Sequence, residues 1–109
     1  MAFAELSSDG TSNGTTPVEV VAAPGSSTKR VIKSMIVYNN DTVSATITIT
    51  YDNGTTERTL CKVTLAAGDQ LYLNDTIVLD DVSSSINLVL SGAVTTNELD
   101  WSAHYGDVT

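Results

Sequence analysis

The sequence predicts an all-β fold: an antiparallel β-sandwich or jelly-roll-like domain with about eight short strands and a flexible N-terminal arm. Only 17% of the residues are charged, so Thr, Ser and Asn supply much of the polar surface, and Thr and Val favour strands over helices. Strand-like runs follow one another at even spacing, separated by short breaks that contain Gly, Pro, Asn or Asp. The sequence has no stretch of useful helical periodicity.

The chain is long enough for one domain, which we place at residues 17–109, preceded by an arm at residues 1–16. Residues 7–16, SSDGTSNGTT, carry no large apolar side chain, so burial cannot offset the entropy lost on ordering them. This segment is therefore either a frayed terminus or an arm that orders on a partner, with the apolar tip from Met1 to Leu6 as its docking end.

Alternation is clearest in residues 43–51, VSATITITY, where apolar side chains alternate with Ser and Thr. This pattern predicts a strand with one buried and one solvated face. The following Asp52-Asn53-Gly54 predicts a tight turn, because Asn and Gly tolerate positive φ, and residues 56–65 then return as the antiparallel neighbour. The eight predicted strands are residues 17–23, 30–39, 43–51, 56–65, 69–73, 76–79, 85–90 and 94–105.

The second predicted strand, RVIKSMIVYN, is apolar on both faces. Strict alternation places Ile32, Ile36 and Tyr38 on one face. It places Val31, Met35 and Val37 on the other face, together with Lys33. A strand that is apolar on both sides is covered on both sides, here by the arm, a loop or a neighbouring subunit. The predicted partner-binding residues are Met1, Phe3, Leu6, Val31, Met35 and Val37.

No catalytic residue is predicted. Asp100, Ser102 and His104 share one face of a strand, but same-face neighbours lie about 7 Å apart, too far for a nucleophile–base hydrogen bond. We interpret them as the polar outer face of an edge strand. Asp75, Asp80 and Asp81 cluster in sequence without matching a calcium-binding loop. One His and one Cys are too few for a zinc site. We therefore expect no metal ligand, no cofactor-binding residue and no cofactor.

The net charge of -8 repels phosphate backbones and anionic lipids, so neither nucleic acid nor membrane is an expected partner. The single cysteine, Cys61, cannot form an intrachain disulfide and is interpreted as a small buried side chain. Among the few aromatic residues, Tyr72 is the best candidate for an exposed surface on which a sugar stacks, followed by Tyr51. Trp101 is assigned to the core because it shares a face with Leu99 and Ala103.

Several units of the chain resemble small β-sandwich virion proteins of tailed bacteriophages. They are a strand ending in the pattern I-x-V-x-N, an L-A-A-G-x-x-L-x-L turn and strand, a V-L strand and an I-x-V-x-x-S-G strand. They occur here at Ile36 to Asn39, Leu65 to Leu73, Ile77 to Leu79 and Ile86 to Gly92. The resemblance covers roughly residues 29–105 and brings no catalytic residues with it.

The resemblance implies a non-enzymatic structural protein of the virion, of the head decoration or cement type, that binds and stabilises the head shell. Its partners would be the major capsid protein or another virion protein, and it would form a homo-oligomer, with a trimer favoured. It would be made in the cytoplasm of the host bacterium and would reside in the virion. A tail, neck or fibre accessory protein would share the same features. A carbohydrate-binding β-sandwich module is the alternative from another functional class.

Overall fold

The computed structural model describes residues 3–109, and within them the chain forms nine β-strands. No helix that could cross a membrane occurs in the described part of the chain. The strands are β1 (Phe3–Ser12), β2 (Val18–Val21), β3 (Lys29–Tyr38), β4 (Ala45–Asp52), β5 (Glu57–Leu65), β6 (Gln70–Leu73), β7 (Ile77–Leu79), β8 (Ser85–Leu90) and β9 (Leu99–Val108).

The strands form two antiparallel sheets, which confirms the predicted β-sandwich. We call them sheet A, with the order β1-β9-β3-β6 and with β7 also paired to β3, and sheet B, with the order β2-β8-β4-β5. This order is that of an eight-stranded jelly roll in which β6 and β7 share one strand position. The eight strands predicted from the sequence correspond to β2–β9.

The core lies between the two sheets and is filled by aliphatic side chains from both. Ile47 and Ile49 of β4 face it, as the alternation predicts, and the positions between them carry Thr. Trp101 also lies in the core with Leu99 and Ala103, as expected. Buried aliphatic side chains from both sheets hold the two layers together through the hydrophobic effect.

The predicted face assignment of β3 is wrong, because the strand contains a β-bulge. The pairing of β3 with β9 shifts register between Ile32 and Ser34, so Lys33 is an additional residue. An extra residue reverses the inside–outside alternation beyond it. Ile32, Met35 and Val37 therefore all face the core.

The N-terminal segment, predicted as an arm, pairs with the chain's own last strand. All ten residues of β1 lie opposite β9 in unbroken antiparallel register, from Phe3 opposite Val108 to Ser12 opposite Leu99. The segment thus supplies a ninth strand at the edge of sheet A. Backbone hydrogen bonds to a neighbouring strand order this segment although it buries little apolar area.

Candidate assembly surface

The solvent-facing side of sheet A, which we call the outer face, carries much of the exposed apolar surface of the described chain. Phe3, Tyr38, Tyr72 and Val78 are exposed large hydrophobic residues. Strand register places all four on this side, since they alternate with core residues or lie opposite outward-facing partners. Clustering of apolar side chains on one sheet face is typical of a contact surface.

One end of the outer face is organised around Phe3. A side chain on Gly106 would overlap the Phe3 ring, because an added Cβ would lie 2.5 Å from its Cζ. Lys33, pushed outward by the bulge, lies with its Nζ 4.9 Å from the ring centroid and 3.2 Å from Glu5 Oε1. These contacts hold the tip of β1 against the sheet, while Phe3 remains 53% exposed.

The other end of the outer face is a shallow aromatic concavity. Ile36 lies opposite Tyr72 on one side and Ser102 on the other. Tyr38 lies opposite Asp100, and the concavity is lined by Ile36, Tyr38, Asp100, Trp101 and Ser102, with Tyr72 beside it on β6. Tyr72 is 54% exposed, as predicted. Tyr51, the second sugar-stacking candidate, is half-buried, and its hydroxyl lies 3.1 Å from Ser84 Oγ.

The predicted partner-binding residues do not form one surface. Phe3 and Leu6 are exposed on β1, and Val31 lies on the outer face opposite Val78. Met35 and Val37 are each 2% exposed in the core, so the chain's own sheet B covers the face that was expected to need a partner. Met1 lies outside the described residues. Contact of Phe3, Leu6 and Val31 with a partner stays a prediction.

The candidate triad residues occupy successive outward positions of β9. Asp100 and His104 are exposed, Ser102 is half-buried, and within residues 3–109 no hydrogen bond joins any two of the three. They form the outward row of β9, which lies between β1 and β3 and is therefore not the predicted edge strand. In the acidic loop, Asp81 Oδ1 accepts a hydrogen bond from Ser83 N at 2.8 Å, which is ordinary turn chemistry. The described residues contain no group of three or more potential metal ligands.

Sequence reasoning missed a buried polar cluster between β3 and β4, where Asn40-Asp41-Thr42 was interpreted only as a break. The Asp41 carboxylate is 5% exposed. Its oxygens accept hydrogen bonds from the backbone N–H groups of Thr42, Thr95 and Thr96 at 2.8–2.9 Å and of Asn97 at 3.2 Å. The bond from Thr95 contributes most to lowering the pKa of Asp41 to about 2. Asp41 therefore ties the β8–β9 connection to the end of β3.

We expect this carboxylate to make the free energy of unfolding depend on pH. Its pKa is about 2 when folded against 3.8 ordinarily, so its contribution is complete above about pH 4 and is lost as the pH falls through about 2. Asp41→Asn should unfold at lower urea concentration than the natural protein near neutral pH, and the difference should narrow towards about pH 2. Urea unfolding midpoints across this range test the prediction, and a difference that is constant with pH would contradict it.

The two sheets end in long edge strands that differ in how they meet solvent. The free edge of β5 carries Arg58 and Lys62, and its register with β4 shifts at Leu60, which is an additional residue. Basic side chains and bulges are common means of preventing edge-to-edge pairing. β1 has neither feature: its ten residues run without a register shift. Its other edge pairs with no strand of the described chain.

Comparison with known proteins shows the fold. No family model matches the chain, and no curated protein sequence matches it. A solved structure of Bacillus endospore appendages, described as a novel family of disulfide-linked pili, has a TM-score of 0.58 and 16% identity, covering 99% of this chain and 87% of its own. A structure of infectious bursal disease virus, Gx strain, has a TM-score of 0.48 and 15% identity, covering 97% of this chain and 30% of its own. The appendage protein shares the fold over nearly the whole of both chains.

Proposed function

We propose that this protein is a non-enzymatic structural subunit that works by binding other protein subunits in an assembly. The observation that carries the proposal is the edge of β1, ten residues long, regular and without the bulge or basic side chains that guard β5. A regular edge of this length, whose only charged side chains are the acidic Glu5 and Asp9, is a ready site for pairing with another chain. The exposed Phe3 and Leu6 at its tip add apolar area to that edge.

Two further observations support an assembly role. The appendage protein of similar fold is described as forming pili, and the likeness spans 99% of this chain. The described residues bring no nucleophile, base and orienting group within hydrogen-bond distance of one another, which is the arrangement that an acyl- or group-transfer site needs.

More specifically, we propose that this chain is a virion protein of the capsid decoration or cement type. It rests on the sequence resemblance over residues 29–105 and on the small, acidic, β-rich character of the chain. The partner would be the major capsid protein or another virion protein, and many weak contacts on a repeating lattice would add up to tight binding. A tail, neck or fibre accessory role would use the same surface at lower copy number.

Quantitative mass spectrometry of the purified particle from the source organism tests this proposal. The measured quantity is the copy number of this chain relative to the major shell protein. Comparable copy numbers would support decoration or cement, and a few copies per particle would support a tail, neck or fibre part. Absence from every particle would overturn the virion proposal.

A second candidate function, carbohydrate binding, is favoured by the concavity on the outer face. Tyr38 follows Ile36 in the outward row of β3, Tyr72 lies opposite Ile36 on β6, and Asp100 and Ser102 of β9 supply polar groups beside them. An aromatic ring that stacks on a sugar, with hydroxyl and carboxylate groups at its rim, is the usual composition of such a site. The acidic surface favours neutral glycans over anionic ones.

Tyr72→Ala is expected to abolish glycan binding if the concavity is a sugar site, because it removes the most exposed aromatic ring beside the concavity. Tyr51→Phe is the matched control, since Tyr51 lies on β4, in the other sheet. Binding is measured on an array of neutral and acidic glycans. An array on which the natural protein binds nothing would contradict this second function and leave the assembly proposal untouched.

A further inference from the structure

The face that β1 turns toward the core is unusual for a strand at the edge of a sandwich. Ser8, Gly10 and Ser12 lie opposite Ala103, Trp101 and Leu99, so the strand covers core residues of β9 with small or polar groups. Leu6 is on the same row but remains exposed. No large apolar side chain of β1 is buried, so the strand contributes little apolar area of its own and its hydrophobic stabilisation comes from the β9 residues that it covers.

What holds β1 is its backbone pairing with β9 and a few polar contacts. Ser8 Oγ donates to the carbonyl of Val20 at 2.7 Å, and Lys33 Nζ lies 3.2 Å from Glu5 Oε1. Ser12 Oγ is buried, and within the described chain it has no hydrogen-bond partner. The Ser8 and Glu5 contacts both join β1 to another segment of the fold, so a β1 from a second identical chain would make them equally well.

The connection that follows β1 is short and fixed at its start. The carbonyl of Asn13 accepts a hydrogen bond from Val94 N at 3.0 Å, and that of Gly14 accepts one from Leu90 N at 3.1 Å. Only residues 13–17 separate β1 in sheet A from β2 in sheet B. A short connection between elements of two different layers favours exchange of the terminal element between copies when it opens.

We propose that β1 is an exchangeable strand, which on assembly leaves its own β9 and pairs with β9 of a second copy of this chain. The second copy is the partner that fits, because its β9 accepts all ten residues in the register seen here and because its Val20 and Lys33 make the same polar contacts. Exchange costs little free energy for the same reason, because the strand pairing lost within one chain is regained between two chains. Mutual exchange closes a dimer, and sequential exchange gives a ring, such as a trimer, or an open chain.

This inference deepens the proposed assembly function and rests on it for its biological role. It also reconciles the predicted N-terminal arm with the strand that the structure shows. Residues 3–12 form a strand in the isolated chain and would act as an arm in the assembly. Removing residues 1–12 would uncover Leu99 and Trp101, so we expect truncation to cost stability as well as assembly.

The test uses Asp9→Cys and Ser102→Cys, which lie opposite each other on the outer face, in a Cys61→Ser background. Oxidation at a concentration low enough for the double variant to be monomeric locks β1 onto its own β9. We expect the locked protein to stay monomeric by light scattering at a concentration at which its reduced form assembles, and reduction of the same sample to restore assembly. A locked protein that assembles as fully as its reduced form would overturn the proposal.

Mixed single variants test exchange directly and do not depend on the locked form folding well. Asp9→Cys and Ser102→Cys proteins, unfolded together, refolded at high concentration and then oxidised, are expected to yield a disulfide-linked pair containing one chain of each. Asp9→Cys mixed with Lys62→Cys is the control, because Lys62 lies on the edge of the other sheet. Equal yields from the two mixtures would overturn exchange.

The inference and the proposed function fail in different ways. A natural protein that is abundant in a particle but monomeric at every concentration tested, with no in-register cross-link, would refute strand exchange and leave the assembly function intact. Efficient in-register cross-linking of a protein that is absent from every particle would support exchange and refute the virion role.

Discussion

Asn39→Asp is expected to lower the free energy of unfolding by about 3–5 kcal/mol, because it removes a buried donor and places an acceptor against other acceptors. Asn39 is fully buried. Its Nδ2 group donates to three backbone carbonyls, at 2.9, 3.0 and 3.2 Å, and its Oδ1 accepts from Asp41 N at 3.0 Å. The three carbonyls belong to Val43, Leu65 and Ala66. The measurement is urea unfolding at neutral pH.

Asn40→Asp is the matched control, since it makes the same chemical and charge change one residue later on an exposed side chain. We expect it to change stability by less than about 0.5 kcal/mol. The Asn39→Asp variant should also regain stability on mild acidification, because a protonated carboxyl group can donate one of the lost hydrogen bonds. Equal unfolding midpoints for the two variants would show that the amide does not link the β3, β4 and β5 segments as its contacts indicate.

The strands that alternate regularly were predictable from the sequence. Which residues of β3 face the core was not. In β4 the alternation of apolar residues with Thr identifies both the strand and its buried face. In β3 apolar residues occupy both faces of the strand, before Lys33 and again from Met35 onward, so an inserted residue leaves no mark in the hydrophobic pattern. A bulge is fixed by the pairing with β9, which lies far away in sequence. The apparent need for a partner over Met35 and Val37 came from this missed reversal.

The N-terminal strand shows a second limit of sequence reasoning. Its composition is that of a segment unable to bury apolar area, which is an accurate description of Ser8, Gly10 and Ser12 as the structure has them. Its order comes from ten residues of pairing with a strand more than 85 positions later, a contact without a local signature. For the candidate sites, exposure of Tyr72 was predicted from its place on a short strand. The cluster around Asn39 and Asp41 was not, because turn residues with buried and solvated side chains look alike in sequence.

Gly10→Ala is expected to destabilise the protein by about 2 kcal/mol, although Ala usually favours a strand over Gly. A Cβ at this position would lie 2.7 Å from Cζ2 and 3.0 Å from Cε2 of Trp101. The indole lies in the core and has little freedom to move away, so β1 must shift outward. Trp101 is the only tryptophan, so its emission should move to longer wavelength as water reaches the ring. Urea unfolding and the emission maximum are the two measurements.

Gly25→Ala provides the control, because an added Cβ at Gly25 has no heavy atom within 4 Å. It should stabilise the protein by about 0.4–1 kcal/mol through the unfolded state and leave the emission unchanged. A double-mutant cycle with Trp101→Phe tests whether the added methyl group at position 10 collides with the indole. If it does, the smaller Phe ring should reduce the loss of stability caused by Gly10→Ala. A cost that stays the same with Phe at position 101 would mean that β1 is displaced by something other than the indole. The close approach of Gly10 to Trp101 would then no longer explain why this strand carries Gly at the centre of its inward row.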